Sequence, residues 1–173
     1  MSERQLQIAV IGSGTARDEL AGLAEEVGRG LARAGAVVVC GGRTGVMEAA
    51  SRGAREEGGV VIGILPGLDP REANPYVTHV VATGVGHARN LAVVASGDAV
   101  VAIGGEWGTL SEIALARRLG HPVTALRSWT LENEAVRELG ISEAQDAPAA
   151  VRSALAAARA HAEAPRHGRE PVD

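Results

Sequence analysis

The sequence contains no lysine and no phenylalanine, and aromatic residues make up 2% of its 173 positions. Without lysine, the chain has neither the phosphate-binding lysine of a P-loop nor the Schiff-base lysine of a pyridoxal phosphate enzyme. The scarcity of aromatic side chains leaves little surface for stacking on bases, and the net charge of −4 is unfavourable for binding a phosphate backbone. The sequence therefore predicts no nucleic-acid partner.

The sequence also lacks a second cysteine and any long apolar run. Cys40 has no partner for an internal disulfide, which favours a cytoplasmic location. Charges or glycines interrupt every apolar stretch before it reaches membrane-spanning length, and Met1–Gln5 does not have the layout of a signal peptide. We therefore expect a cytoplasmic protein with no membrane partner.

The apolar residues, 46% of the chain, are chiefly Val, Leu, Ile and Ala, a composition that suits a parallel sheet covered by Ala-rich helices. Short apolar runs alternate with helical segments. This rhythm predicts an α/β fold, a doubly wound and mostly parallel sheet in a single domain over residues 1–163. The charged tail, residues 164–173, is expected to be disordered. Strands are predicted at Leu6–Ile11, Ala36–Cys40, Val60–Leu65, His79–Ala82, Asp98–Ile103, Val123–Leu126 and Ile141–Ala144. Helices are predicted at Ala16–Ala34, Gly45–Glu57, Ala88–Ala95, from Thr109, near Leu131–Leu139 and from Ala147 to about His161.

Glycine-bearing loops follow three of the predicted strands. In an open parallel sheet, ligands bind at the carboxyl ends of the strands, where these loops gather. A helix that starts in such a loop offers free backbone N–H groups and a positive dipole end to a phosphate. The alternative is that these are only the tight turns that every α/β domain needs. The expected phosphate-binding residues are Gly12, Ser13 and Gly14 in the first loop, Gly41, Gly42, Arg43, Thr44 and Gly45 in the second, and Gly104, Gly105, Glu106, Trp107, Gly108 and Thr109 in the third.

The third loop leaves three roles open. Glu106 would repel a phosphate, so its side chain either points to solvent or forms hydrogen bonds with the edge of a bound ring. Trp107 either stacks on a planar ligand or packs at a subunit interface. Glu112 has the spacing of a capping box with Thr109, a purely structural role. His79 and His87 have no further ligand at metal-binding spacing, so no metal site is expected.

The stretches Gly41–Ala49 and Gly104–Glu112 resemble the LONELY GUY superfamily in motif and order, and the resemblance extends from about Gln7 to Leu126. Characterised members are Rossmann-like homodimers. They hydrolyse the N-glycosidic bond of a nucleoside 5′-monophosphate to a free base and ribose 5-phosphate. The resemblance implies the same fold, a homodimer, a small phosphate-bearing ligand, and Arg89 and Glu112 as catalytic residues. Proteins of this superfamily were often labelled lysine decarboxylases, an activity that a chain without lysine does not support.

Departures from the hydrolase pattern indicate another branch. Gly104 replaces a proline, Glu106 and Glu48 replace glycines, and Asn90 stands where hydrolases have a lysine. These departures resemble a bacterial branch that is similar to molybdenum cofactor carrier proteins. We therefore expect either an N-glycosidase or, as the alternative, a non-catalytic protein that binds or carries a nucleotide or the molybdenum cofactor. No resident cofactor is expected; the molybdenum cofactor would be a carried ligand.

Overall fold

The computed structural model describes residues 4–16, 18–129 and 140–163. Its strands are β1 (Gln7–Gly12), β2 (Val37–Cys40), β3 (Val61–Leu65), β4 (His79–Ala82), β5 (Ala99–Ile103), β6 (Val123–Leu126) and β7 (Ile141–Ala144). They form one sheet in the order β4-β3-β2-β1-β5-β6-β7. Every pairing is parallel. The predicted doubly wound α/β sheet is confirmed, and it is parallel throughout rather than mostly parallel.

Helices cover both faces of the sheet: α1 (Asp18–Arg33), α2 (Val46–Glu56), α3 (Arg89–Ala95), α4 (Trp107–Arg118) and α5 (Ala147–Glu163). Side chains alternate along a strand, so β1 contributes to two cores. Ile8 and Val10 pack with α1, α2 and α5, whereas Ala9 and Ile11 pack with α3 and α4. Because both faces are covered, β5 is buried at every position, which explains its continuous apolar run.

Helices α1 and α2 approach each other closely because glycine stands at their crossing. A Cβ atom added at Gly28 would clash with the carbonyl oxygen of Ala50, and one added at Gly53 would clash with that of Glu25. Backbone therefore packs directly on backbone at this contact. Both helices follow parallel neighbouring strands, so their starts lie at the same edge of the sheet.

The order in which strands are added to the sheet reverses at β1, which pairs with β2 on one side and with β5 on the other. Connections leave these two neighbours towards opposite edges. A crevice therefore opens above the carboxyl ends of β1 and β5, the position at which open α/β sheets bind ligands. All three glycine loops follow the strands at this edge.

Several sequence predictions fall outside the described residues or differ in extent. The predicted helix near Leu131–Leu139 and the predicted disordered tail, residues 164–173, lie outside the described residues. Helix α4 begins at Trp107, two residues before the predicted start at Thr109. No helix in the described part of the chain is both long and apolar enough to cross a membrane.

Candidate functional site

A cleft of about 220 Å³ opens at the carboxyl ends of β1 and β5. It lies between the first and second glycine loops, the start of α3 and the start of α4. Its lining residues are Val10, Ile11, Gly12, Ser13, Gly14, Gly41, Met47, His87, Arg89, Asn90, Glu106, Gly108, Thr109 and Glu112. Both residues expected to be catalytic therefore face one cleft, together with parts of all three loops.

A larger cavity, of about 830 Å³, lies at the opposite edge of the sheet. It is lined by residues at the starts of β1 and β5 and near the end of α5, among them Arg4 and Asp98. Asp98 accepts hydrogen bonds from Arg4 and from the backbone N–H of Gln7, the latter at 2.8 Å. These contacts fasten the N-terminal segment to the sheet. Because this cavity contains none of the glycine loops, we assign the candidate site to the smaller cleft.

The start of α4 supplies backbone donors to the cleft. Gly104 and Gly105 have φ angles of +56° and +137°, which side chains resist, and they turn the chain directly from β5 into the helix. The first N–H groups of a helix have no acceptor within the helix, and the Glu106 side chain does not cap them. Gly108 and Thr109 line the cleft within this first turn. The helix start therefore suits an anion.

The capping-box interpretation of Thr109 and Glu112 is wrong. The residue that precedes the helix is Glu106, and Thr109 is already the third helical residue. The glycine turn begins the helix earlier than the local spacing indicates, so Glu112 lies deeper in the helix and cannot reach back to the helix start as a capping glutamate does.

Glu106 joins the third loop to the first. Its Oε1 atom accepts hydrogen bonds from the hydroxyls of Ser13 and Thr15, each at 2.8 Å. The two hydroxyl oxygens lie 3.0 Å apart, and the backbone N–H of Thr15 donates to Ser13 Oγ. The hydroxyls of Ser13 and then Thr15 lower the pKa of Glu106 below its usual value, so this carboxylate is ionised at neutral pH. Glu106 is exposed at the cleft, and its Oε1 atom is held by the first loop, a contact that the sequence did not predict.

Arg89 lies against Gly41, and both residues line the cleft. A Cβ atom at Gly41 would clash with Arg89 Nη1 and would lie 2.6 Å from Met47 Sδ. The Nε atom of Arg89 is buried and has no hydrogen-bond partner among the described residues. Burial lowers the pKa of this guanidinium from its usual value, and the charge of Glu112 opposes that shift. The result is a cation with unused hydrogen-bonding capacity inside the cleft.

Glu112 is a buried carboxyl in the same cleft, with 7% of its surface exposed. Burial raises its pKa from 4.5 to about 7, although the nearby Arg89 charge acts in the opposite direction. Its carboxyl therefore titrates near neutrality. Such a group can exchange a proton with a ligand or adjust its charge to that of a bound anion.

The second loop is held in place mainly by contacts outside the cleft. Arg43 forms an ion pair of 2.6 Å with Glu72, and the hydroxyl of Thr44 donates to the carbonyl of Gly14 at 2.8 Å. Asn74 binds the loop twice: its backbone N–H donates to Gly42, and its side chain donates to the carbonyl of Arg43. These contacts fix the loop between its neighbours.

Seven of the predicted ligand-binding residues do not line the cleft: Gly42, Arg43, Thr44, Gly45, Gly104, Gly105 and Trp107. The glycines among them shape the turns; for example, Gly45 has a φ angle of +70° and lies against the carbonyl of Ser13. Trp107 is 78% exposed and contacts Trp129, with ring centroids 5.6 Å apart.

Met47, His87 and Asn90 line the cleft but were not among the predicted site residues. His87 was considered only as a metal ligand and Asn90 only as a departure from the hydrolase motif. Both residues lie within two positions of Arg89 in the sequence, and this proximity was the signal that could have identified them. No group of three or more metal-ligating side chains occurs within the described ranges.

Comparison with known proteins decides the family. A model of the SLOG cluster4 family matches residues 5–155, most of the chain. The chain belongs to the SLOG cluster4 family. An uncharacterised protein of Archaeoglobus fulgidus is 43% identical to this SLOG cluster4 protein over 122 residues, which cover 70% of this chain and 80% of the relative.

Two solved structures resemble this SLOG cluster4 protein closely. The molybdenum cofactor binding protein of Rippkaea orientalis has a TM-score of 0.83 and 34% identity, and the match covers 90% of this chain and 98% of that one. The molybdenum cofactor carrier protein of Chlamydomonas reinhardtii has a TM-score of 0.82 and 32% identity, with 89% and 98% covered. The resemblance to the LONELY GUY superfamily, and to its carrier-like branch, is confirmed.

Proposed function

We propose that this SLOG cluster4 protein binds a phosphate-bearing ring compound in the cleft without cleaving it, and that the ligand is the molybdenum cofactor. The observation that carries this proposal is the position of Arg89 at Gly41, beside the first turn of α4. A phosphate there would accept hydrogen bonds from the guanidinium and from free helix amides.

The residues present fit a phosphate group on two counts. The buried Nε of Arg89 has no partner in the described part of the protein, and a ligand oxygen would satisfy it. Gly41 leaves the space that the guanidinium occupies, because any side chain there would displace it. The names of the two similar structures, a cofactor binding protein and a cofactor carrier, support the molybdenum cofactor as the ligand.

The proposal is tested by titrating the purified protein with molybdenum cofactor released from a molybdoenzyme and measuring retained pterin after gel filtration. We expect the wild type to retain pterin, and Arg89→Gln to weaken binding roughly tenfold or more, since a hydrogen bond to a charged group is lost. Arg152→Gln is the matched control, because Arg152 is exposed on α5 and does not line the cleft. Retention of no pterin by the wild type would contradict the proposal.

A second candidate function is hydrolysis of a nucleoside 5′-monophosphate, and Glu112 is the observation that favours it. Glu112 shares the cleft with Arg89, and burial brings its pKa to about 7. When ionised, a carboxylate beside the ribosyl carbon would stabilise the positive charge that develops as the C–N bond breaks. Arg89 would hold the phosphate in this reaction as it does in simple binding.

The two functions are separated by measuring free base after incubation with a panel of nucleoside 5′-monophosphates. Hydrolysis predicts base release that rises with pH through about 7, as Glu112 ionises, and that Glu112→Gln abolishes. Thermal stabilisation by the same nucleotides with no base release would leave binding as the function. Base release that persists in Glu112→Gln would exclude this carboxylate as the reacting group.

We also propose a homodimer. Helices α3 and α4 pack against each other, and each exposes a large apolar side chain: Leu91 is 46% exposed and Trp107 is 78% exposed. A second copy over these helices would remove both from water.

A further inference from the structure

The hydroxyl protons of the first loop are directed at Glu106. Ser13 and Thr15 each have one hydroxyl proton, and both hydroxyls donate to Glu106 Oε1. An ionised carboxylate is an acceptor only. The side chains on this side of the cleft therefore present lone pairs to a ligand, and they have no proton left for a phosphate.

Arg89 has the reverse character. It is a donor without acceptor capacity, and it lies against Gly41 of the second loop. The cleft is thus divided into a donor side, at Arg89, and an acceptor side, at Glu106. A phosphate would be attracted to the first side and repelled by the negative charge on the second.

A ligand that satisfies both sides has a phosphate at one end and hydrogen-bond donors at the other. We propose that Glu106 is a specificity-determining residue that accepts hydrogen bonds, through its second oxygen Oε2, from donor groups on the non-phosphate part of the ligand. This inference rests on the proposed function, since it assumes that the phosphate binds at Arg89. Two sources have this chemistry: the lactam N–H and 2-amino edge of a guanine or pterin ring, and the vicinal hydroxyls of a ribose.

Guanosine 5′-monophosphate and two analogues distinguish these sources, because each analogue lacks one donor of the parent nucleotide. Inosine 5′-monophosphate lacks the 2-amino group, and 2′-deoxyguanosine 5′-monophosphate lacks one ribose hydroxyl. Calorimetric titration of the wild type is expected to give a dissociation constant roughly tenfold or more higher for whichever analogue lacks the recognised donor. The ring edge is the source if inosine monophosphate is the weaker ligand, and the ribose if the deoxynucleotide is.

The matching variant is Glu106→Gln. Glutamine keeps an oxygen for the hydroxyls of Ser13 and Thr15 but replaces Oε2 with an amide donor. We expect this variant to lose the discrimination, so that guanosine monophosphate and the weaker analogue bind within about twofold of each other. Glu26→Gln is the control: Glu26 is an exposed glutamate on α1 outside the cleft, and its variant is expected to keep the wild-type preference.

Each outcome has a defined meaning. Equal binding of all three nucleotides by the wild type, or a preference that Glu106→Gln retains in full, would overturn the role of Glu106 and leave phosphate binding at Arg89 standing. Binding of none of the nucleotides and no inorganic phosphate would overturn phosphate binding at Arg89, and this inference with it, whereas pterin retention tests the binding of the molybdenum cofactor separately.

Discussion

Glu112 makes the stability of this protein depend on pH. Its folded-state pKa of about 7 lies above the value of 4.5 for an unperturbed carboxyl. The folded state therefore favours the protonated form. The contribution of Glu112 to stability is fully present below pH 4.5 and is lost as the pH rises through about 7. At about 1.4 kcal/mol for each pH unit between the two pKa values, the loss reaches roughly 3 kcal/mol.

Glu112→Gln is expected to remove this pH dependence, because glutamine does not ionise. The measurement is the free energy of unfolding by urea at several values between pH 4.5 and pH 8, for wild type and variant. The difference between the two proteins isolates Glu112 from the histidines, which titrate in the same range. A difference that stays constant with pH would show that burial does not raise the pKa of Glu112.

Gly41→Ala is expected to weaken ligand binding more than stability. The added methyl group would displace the Arg89 guanidinium and the Met47 sulfur, both of which are ends of flexible side chains and can move at low cost. The dissociation constant for inorganic phosphate or a nucleotide is expected to rise roughly tenfold, since a charge-assisted hydrogen bond is lost. Unchanged affinity would mean that Arg89 does not bind the phosphate.

Helices α1 and α2 cross with backbone against backbone at Gly28 and Gly53. Gly28→Ala is expected to destabilise the fold by about 1–3 kcal/mol, because its methyl group would clash with the backbone carbonyl of Ala50, which cannot move alone. The measurement is urea unfolding. A stability equal to that of the wild type would contradict the close backbone contact.

Gly22→Ala is the matched control for this substitution. Gly22 lies on the same helix, and nothing is within 4 Å of an added Cβ atom there. Alanine is the better helix former, so this variant is expected to be more stable than the wild type by up to about 1 kcal/mol. The two substitutions in α1 are thus predicted to change the free energy of unfolding in opposite directions.

The start of α4 differs from the start that the sequence predicts. The spacing of Thr109 and Glu112 fits a capping box, and local sequence offers no reason to reject it. The helix starts at Trp107 because Gly104 and Gly105 turn the chain immediately after β5. The position of that turn depends on backbone angles that the letters of the motif do not specify.

The proposed homodimer predicts a mass in light scattering of twice that of one chain. Trp107→Glu and Leu91→Glu place a charge on the exposed apolar surface of α4 and α3, and each is expected to shift the protein to the monomeric mass. Val85→Glu is the control for an added charge, because Val85 is exposed and lies outside these two helices. A wild-type mass of one chain at all concentrations would contradict the dimer.

The pattern of residues along the chain predicts the sheet and the edge at which the loops gather. Alternating apolar runs and helical segments require a parallel sheet covered on both faces, because such runs are stable only when buried. Glycines after the strands mark the tight turns. The motifs at Gly41–Ala49 and Gly104–Glu112 indicated the family, and the resemblance to it singled out Arg89 and Glu112 as candidate site residues.

The surroundings of these residues depend on tertiary contacts. Arg89 is separated from Gly41 by nearly 50 positions, and Glu106 from Ser13 by more than 90, so no local pattern records their contacts. Burial of Glu112 depends on the packing of α4 against the sheet, and this burial sets its pKa. The division of the cleft into a donor side and an acceptor side is likewise tertiary. Hydrogen bonds and desolvation depend on distances in space, which the fold creates and the sequence encodes only through it.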